Sequence, residues 1–235
     1  MSRDYYTIEE LTIQLGKERR IVEKQVSRGH IPGRRVGGEW RFNKTEITEW
    51  LEREMAGFSP TDLVVLERTH SSLEVCAKSP VSSLLMPELV EVPLDAGTKP
   101  SVLKKLVEVA GRTWQVFDSS AIFDAVRQRE DNMSTGFDGG VAIPHPSNRM
   151  PDALGESVIA FGRTLSGIPF GGPQRQMTDL FFLVLTRDDS THLKVLARLS
   201  RLFQLPDFLD DLRTAETSAD AYDIIITADT GLGAE

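Results

Sequence analysis

The sequence predicts an α/β body, in which a mixed sheet is flanked by helices, preceded by a small N-terminal domain of helices and a β-hairpin. From residue 81 onward, short apolar stretches alternate with amphipathic helical patterns. Residues 1–55 instead contain two short helical patterns and then a glycine turn between apolar residues. Charge separates the same two parts, because residues 1–55 carry 11 basic and 10 acidic residues and the remainder 16 and 25. The predicted units are a domain at 1–55, a linker at 56–80, a body at 81–228 and a tail at 229–235.

Composition excludes several classes of protein. The chain of 235 residues has one cysteine, Cys76, which cannot form an internal disulfide, and no Cys/His cluster has zinc-site spacing. This use of cysteine fits a reducing cytoplasm best. The longest apolar run, Leu180 to Leu185, is too short to cross a bilayer, so no membrane span is predicted. The chain contains no P-loop, no G-x-S-x-G and no dinucleotide fingerprint, and no cofactor is expected.

The N-terminal segment begins with two predicted helices joined by Gly16. In the first, from Tyr5 to Leu15, Thr7 is positioned to cap the helix and acidic residues follow in the first turn. The second, from Lys17 to Arg28, places Ile21, Val22 and Val26 inward and its basic residues outward. Two short helices around a tight glycine turn indicate a helix-turn-helix.

A hairpin follows the two helices. Apolar residues flank Gly37 and Gly38, and Asn43 then caps a third helix through Leu51. This order, with the stretch Arg-Gly-His-Ile-Pro-Gly-Arg-Arg-Val-Gly-Gly-Glu-Trp-Arg-Phe, resembles the excisionase/MerR-like winged helix-turn-helix family of DNA-binding domains. The resemblance implies that the second helix enters the major groove and that the hairpin contacts the DNA backbone or minor groove. The DNA contacts expected from it are Arg19, Arg20, Lys24 and Arg28 on the helix and Arg34, Arg35 and Arg41 on the hairpin. The alternative for these cations is a solvated helix face.

The linker contains one further helical signal. Ser59 is positioned to cap a short helix with Pro60 at its first position and an apolar stripe at Leu63, Val64 and Leu66. That stripe needs a partner, which is either the body or a second copy of the chain in a homodimer. His30 and His70 are expected at the surface.

The body reads as alternating strands and helices, with Leu180 to Thr186 apolar throughout and therefore expected to be central. The other predicted strands are 89–92, 158–163 and 223–227; the predicted helices are 99–110, 119–129, 190–203, 207–212 and 218–222, and Ala228 to Glu235 are expected to fray.

The most informative stretch runs from Arg129 to His145. A predicted helix ends in charged residues, and a glycine-rich loop follows it. The short strand Val141 to Ile143 then stops at Pro144, and His145 comes directly after this proline. A histidine at a strand end beside a flexible loop suits a nucleophile that must reach a bulky partner, and the loop is suited to hold an anion. From the residues alone, an ordinary loop histidine is an equal alternative.

The pattern of Arg-Glu, Ser-Thr-Gly, Gly-Val-Ala-Ile-Pro-His and a later Thr-His-Leu-x-x-Leu-Ala-x-Leu resembles the EIIA domains of the bacterial phosphotransferase system, of the fructose/mannitol and nitrogen-regulatory type. The resemblance covers about residues 81–226. It implies that His145 carries a phosphoryl group, that His192 is the second active-site histidine and that Arg129 is the active-site arginine. The residues expected to form the phosphate loop are Ser134, Thr135, Gly136 and Gly140.

Two further features bear on this site. The family usually has a small residue after the phosphohistidine, whereas here Pro146 removes a backbone N–H. His192 is expected two residues into a helix capped by Ser190, where an anion is favoured. Two histidines are also potential metal ligands, but no third ligand has suitable spacing, and no metal is predicted.

The two resemblances together predict a cytoplasmic, phosphotransferase-linked transcriptional regulator. Its body would take a phosphoryl group on His145 from the histidine-containing phosphocarrier protein, as a phosphocarrier rather than a free-standing enzyme, and so change DNA binding. The first alternative is a relay that passes phosphate to an EIIB partner, with the N-terminal module serving for protein docking. The second, motivated by Pro146, is a sensor that keeps the fold without being phosphorylated.

Overall fold

The structure is a computed structural model that describes residues 4–70 and 79–233. Cys76 lies outside the described residues. The N-terminal domain comprises β1 (Tyr5–Tyr6), α1 (Ile8–Leu15), α2 (Arg19–Ser27), β2 (Arg34–Val36), β3 (Glu39–Asn43) and α3 (Lys44–Glu54). Its three strands form an antiparallel sheet in the order β1-β3-β2, with the Gly37-Gly38 turn at positive φ between β2 and β3. The predicted helix-turn-helix and hairpin are therefore present.

Local signals set most boundaries of this domain. Thr7 and Glu10 form a reciprocal capping box at the start of α1, and Asn43 caps α3. Two details differ from expectation. Tyr5 and Tyr6 pair with β3 instead of starting the helix. Ile21, expected inward, is 46% exposed, because Val22 and Val26 alone fill the inner face of α2.

The linker helix is α4 (Pro60–Thr69), capped by Ser59 as predicted. Leu63 and Leu66 are buried, and α4 packs along α7 (Asp189–Phe203) of the body. Within one chain, the partner of the apolar stripe is therefore the body. α1 packs on the other side of α4, where Gly16 has φ +58° and a Cβ at that position would lie 2.4 Å from Val65. Glycine therefore allows both the turn and the close approach of these helices.

The body consists of β4 (Leu85–Glu91), α5 (Lys99–Ala110), α6 (Ser119–Asn132), β5 (Gly136–Phe137), β6 (Val141–Ala142), β7 (Val158–Ile168), β8 (Thr178–Leu185), α7 (Asp189–Phe203), α8 (Phe208–Thr214) and α9 (Ser218–Gly233). Its strands form one five-stranded mixed sheet in the order β4-β7-β8-β6-β5, flanked by helices. β4 pairs parallel to β7, β7 antiparallel to β8, β8 parallel to β6, and β6 antiparallel to β5. The central β8 is almost wholly buried, as predicted from its apolar sequence.

The C-terminal prediction was wrong. Residues 223–227 belong to α9, which continues to Gly233 past the expected end of the body. Ala221 and Ile225 are fully buried one turn apart, and the carboxylate of the buried Asp229 accepts hydrogen bonds from the N–H and Oγ of Ser82. Tertiary packing therefore overrides the strand preference of the isoleucine run.

Two acidic side chains of the first 70 residues reach into the body. Glu67 on α4 contacts Arg198 and, at 2.8 Å, Arg201 on α7. Glu52 on α3 enters the region of His145 and His192. The N-terminal domain, through Glu52, and the linker helix, through Glu67, thus contact the body by buried charges. None of the helices among residues 4–70 and 79–233 has both the length and the apolar composition needed to cross a bilayer.

Candidate functional site

Backbone hydrogen bonds fix the two residues that precede His145, just after the end of β6. The N–H of Ile143 donates to the carbonyl of Thr135, and the carbonyl of Pro144 accepts from Val184 of β8. The ring of His145 is buried. Its Nδ1 lies 2.7 Å from the carbonyl oxygen of Ile143, two residues earlier, and a carbonyl oxygen can only accept a hydrogen bond. Nδ1 therefore carries a proton, and Nε2 is the nitrogen that faces the site.

His192 lies opposite. Its fully buried ring is centred 4.9 Å from the ring of His145, and its Nε2 is 2.8 Å from Oε1 of Glu52. Burial, followed by the positive charge of Arg149, lowers the pKa of His192 to about 3, so this imidazole is neutral. A neutral ring that donates from Nε2 has a bare Nδ1, and Nδ1 of His192 has no hydrogen-bond partner among the described residues.

The helix that carries His192 begins differently from the prediction. Asp188 caps α7 by accepting the N–H of Thr191, whereas Ser190 is already helical and its Oγ donates to the carbonyl of His70. His192 is thus the fourth residue of α7. His70 was expected at the surface but is buried, and burial lowers its pKa.

The centre of the site is Glu52, a residue that the sequence did not single out. Its carboxylate lies between the two imidazoles, with Oε2 3.0 Å from Nε2 of His145 and Oε1 2.8 Å from Nε2 of His192. Burial by itself would raise the pKa of Glu52, but the attraction and hydrogen bond of His145, and then the hydrogen bond of His192, outweigh the effect of burial. They hold the pKa well below its usual range, and the group is a carboxylate.

Two arginines complete the surroundings of this carboxylate. Arg129, in the last turn of α6, is 3.0 Å from Oε2 of Glu52 and also donates to the carbonyl of Met133. Arg149, whose role the sequence did not reveal, lies 3.8 Å from Oε1 of Glu52. The carbonyls of Pro146 and Ser147 accept from Arg149 and fold its side chain back over the site. Arg129, His145 and His192 therefore lie around one carboxylate, while their roles in phosphoryl transfer stay a prediction.

The predicted phosphate loop is held by a different set of contacts. The buried Glu130, next to Arg129 in sequence, accepts from the N–H and Oγ1 of Thr135. Ser134 donates to the carbonyl of Phe170, and Gly136 pairs with β6. Gly140 forms the turn into β6, where its carbonyl accepts from Asp179 and Leu180. These contacts order the β5–β6 hairpin, while a role in phosphate binding stays a prediction for these four residues.

The site also has a third potential metal ligand that sequence spacing did not reveal. Glu52, His145 and His192 offer ligand atoms that all lie within 4.8 Å of one another. Two guanidinium groups lie within 4 Å of the same carboxylate, however. A dication in that position would be repelled by both, so the charge of the surroundings fits an anion better than a metal ion.

The predicted DNA contacts form a second surface. Five of the seven cations, namely Arg19, Arg20, Lys24, Arg35 and Arg41, line one groove between α2 and the hairpin. Arg28 and Arg34 are exposed outside it. Some of these cations are already paired, since Arg19 contacts Glu9 and Glu23, Arg34 contacts Glu46, and Arg41 contacts Glu39.

Models of two known families match separate stretches of the chain. The model of the family described as "Phosphoenolpyruvate-dependent sugar phosphotransferase system, EIIA 2" matches residues 83–228, and a helix-turn-helix domain model matches residues 5–55. A fructose-specific EIIA component of Haloferax volcanii is 29% identical over 147 residues, which are 62% of this chain and 94% of that protein. A nitrogen regulatory protein of Pseudomonas aeruginosa is 30% identical over 61% of this chain and 91% of its own length. A Bacillus subtilis fructose-specific EIIABC component, 29% identical over 62% of this chain, is matched over only 23% of its length.

Solved structures share the fold of the body. The nitrogen regulatory protein IIA-Ntr of Neisseria meningitidis aligns with a TM-score of 0.57 and 24% identity, over 63% of this chain and 99% of that one. The IIA mannitol protein of Escherichia coli aligns with a TM-score of 0.53 and 17% identity, over 60% of this chain and 97% of that one. With the family model covering residues 83–228, this chain belongs to the type 2 EIIA family of the phosphoenolpyruvate-dependent sugar phosphotransferase system, with a helix-turn-helix domain in front of it.

Proposed function

We propose that this protein is a phosphotransferase-linked transcriptional regulator, in which a phosphoryl group accepted by His145 changes how the N-terminal domain binds DNA. One observation carries the proposal. The two imidazoles and two guanidiniums of the body converge on one carboxylate, and that carboxylate belongs to α3 of the helix-turn-helix domain. The chemistry of one domain is therefore in direct contact with the other.

The geometry suits phosphoryl transfer through Nε2 of His145. The proton on Nδ1 is held by the carbonyl of Ile143, which leaves Nε2 as the nitrogen able to attack. As the bond from phosphorus to Nε2 forms, the N–P bond of the carrier protein's phosphohistidine breaks, and the leaving imidazole keeps the electron pair. While Glu52 contacts Nε2 of His145, a proton lies between the two groups. This proton passes to solvent before Nε2 attacks.

Positive charge and hydrogen-bond donors would stabilise the transferred group. Arg129 and Arg149 bring two guanidiniums to the place where charge is spread over the phosphoryl oxygens. Nε2 of His192 supplies a neutral donor on the opposite side. Pro146 removes one amide, but its carbonyl positions Arg149, and that guanidinium is a stronger donor to an anion than the lost N–H.

The N-terminal surface supports the DNA part of the proposal. Arg20 and Lys24 project from α2 into solvent, and Arg28 is exposed directly after the last residue of this helix. Arg35 lines the same groove as Arg20 and Lys24, from the hairpin side. Cations presented together by a helix and a hairpin suit phosphate contacts and guanine edges. The carrier protein and DNA are thus the proposed partners, and the cytoplasm, where both occur, is the proposed location.

A relay function is the second candidate, favoured by one structural neighbour. The E. coli mannitol IIA protein solved in complex with phosphorylated enzyme IIB aligns with this chain at a TM-score of 0.52 and 16% identity, over 60% of this chain and 98% of that one. In a relay, phosphate on His145 would pass to an EIIB partner. The third candidate, a sensor without phosphorylation, predicts no label on the protein at all.

Phosphorylation from phosphoenolpyruvate, with purified enzyme I and carrier protein, tests the proposal first. Acid-labile label is expected on the wild type and on His192→Ala at a reduced rate, and none on His145→Ala. DNA selected from a random pool should bind the full chain with a steep salt dependence, and stoichiometric phosphorylation should change its affinity. Label without any retained DNA, together with rapid transfer to EIIB, would favour the relay. No label, despite a working control EIIA, would favour the sensor.

A further inference from the structure

The carboxylate of Glu52 already makes the contacts that a phosphoryl group on His145 would need. It faces Nε2 of His145 at 3.0 Å, Nε2 of His192 at 2.8 Å and the guanidinium of Arg129 at 3.0 Å. Carboxylate and phosphoryl oxygens share negative charge and a preference for such donors. In this structure, therefore, the anion site of the body is filled by an anion from the N-terminal domain.

Filling the site also removes the nucleophile. Nδ1 of His145 donates to a carbonyl, and Glu52 is a carboxylate that can only accept. Both contacts of the His145 ring are hydrogen bonds only if both nitrogens carry protons. While Glu52 is in place, Nε2 has no lone pair for attack, and α3 covers the direction from which a donor phosphohistidine would approach.

Glu52 and a phosphoryl group do not fit together. A phosphorus atom bonded to Nε2 of His145 would lie in the space now taken by Oε2 of Glu52, because that oxygen is the hydrogen-bond partner of the same nitrogen. The phosphoryl group adds a charge of roughly −1.5 to −2 next to the carboxylate, among side chains that are buried. Steric overlap and repulsion both drive α3 away from the body.

We propose that Glu52 is an intramolecular inhibitor of phosphorylation, so that docking of α3 on the body and a phosphoryl group on His145 exclude each other. This inference rests on the proposed function, since it concerns the same phosphoryl acceptor. The second contact between the domains, Glu67 with Arg198 and Arg201, lies on α4 and involves no histidine. Phosphorylation therefore releases α3 while α4 keeps the domains attached.

The test compares initial rates of phosphorylation, under limiting carrier protein, for the wild type, Glu52→Gln, Glu52→Ala and Glu54→Gln. Glu54 is the matched control, because it lies on the same helix and is exposed. Both Glu52 variants are expected to be labelled at least threefold faster than the wild type, and Glu54→Gln at the wild-type rate. Glutamine keeps the shape of the side chain, so a faster rate for this variant also shows that lost charge, rather than misfolding, is responsible.

Outcomes separate this inference from the proposed function. If the wild type is labelled and the Glu52 variants are labelled no faster, the inhibitor role is wrong while the acceptor role stands. If no variant is labelled although a control EIIA is, both fail together. Hydrogen exchange supplies a second readout: amides of α3 (Lys44–Glu54) should exchange faster in the fully phosphorylated protein and in Glu52→Gln. Unchanged protection of α3 after stoichiometric phosphorylation would overturn the proposal.

Discussion

The buried imidazole of His192 predicts a specific dependence of stability on pH. Burial, followed by the charge of Arg149, lowers the pKa of His192 to about 3 in the folded protein. In the unfolded chain the same group has an ordinary value of about 6.5. Below pH 6.5, His192 therefore binds a proton in the unfolded state but not in the folded state. The free energy of unfolding must fall as the pH is lowered toward the folded pKa, and this effect is absent at higher pH.

The size of the effect follows from the gap between the two values. Each pH unit below 6.5 costs up to roughly 1.4 kcal/mol, so acidification from pH 7.5 to 5 should remove about 2 kcal/mol through His192 alone. His192→Gln keeps a donor near Oε1 of Glu52 but cannot titrate in this range. The difference between wild type and variant therefore isolates the contribution of this ring, because other groups are common to both proteins.

Urea denaturation at a series of pH values measures this difference. The wild type should lose about 2 kcal/mol more than His192→Gln between pH 7.5 and 5. His30→Gln is the control for removal of a histidine, since its side chain is exposed in the folded protein, and it should follow the wild type. Parallel curves for the wild type and His192→Gln would show that the ring takes up a proton in the folded state, and the assignment of a neutral imidazole would be refuted.

The other predictions concern the interface between the domains, the hairpin turn and the DNA surface. Glu67→Ala removes the carboxylate that pairs with the buried Arg198 and the half-buried Arg201, although Arg198 keeps a second carboxylate, that of Asp229, at 3.4 Å. The variant should lower the free energy of unfolding by about 3–5 kcal/mol in urea denaturation; a loss below about 1 kcal/mol would contradict this. Gly140→Ala should destabilise by about 1–3 kcal/mol, seen as a lower melting temperature, because φ is +74° and the new Cβ would lie 3.0 Å from the carbonyl oxygen of Met177. Arg20→Ala with Lys24→Ala should weaken DNA binding across sequences and reduce the salt slope by about 2, measured by fluorescence anisotropy; unchanged affinity would refute the assignment of α2.

Much of the fold was predictable because its signals are local. Thr7, Asn43 and Ser59 mark helix starts by side-chain oxygens that accept the N–H three residues later, and each does so in the structure. The buried strand β8 was equally clear, since an apolar run of that length suits a central strand. Where a residue's environment depended on distant packing, prediction failed: α9 was partly read as a strand, and His70 was placed at the surface.

The site shows the same division. His145, His192 and Arg129 were found through motifs, and the structure brings them together. Glu52 could not be found in that way, because it is one of four glutamates on a charged helix and its partners lie 93 and 140 residues away. Arg149 was equally hidden, since only the fold of the Pro146 turn directs its guanidinium to the site. Contacts between domains leave no periodic trace in a sequence.

The contact through Glu52 links phosphorylation of His145 thermodynamically to docking of the N-terminal domain, and through that domain to DNA binding. If a phosphoryl group on His145 weakens docking of α3 by some factor, docking must weaken phosphorylation by the same factor, since coupling between equilibria is reciprocal. DNA enters the same cycle through the N-terminal domain. A DNA site that prefers the released domain would favour phosphorylation of the body, and one that prefers the docked domain would oppose it. In the docked arrangement, the groove cations Arg19, Arg20, Lys24 and Arg35 are exposed to solvent. The phosphoryl group would therefore act on the orientation of that groove relative to the body, and not by covering it.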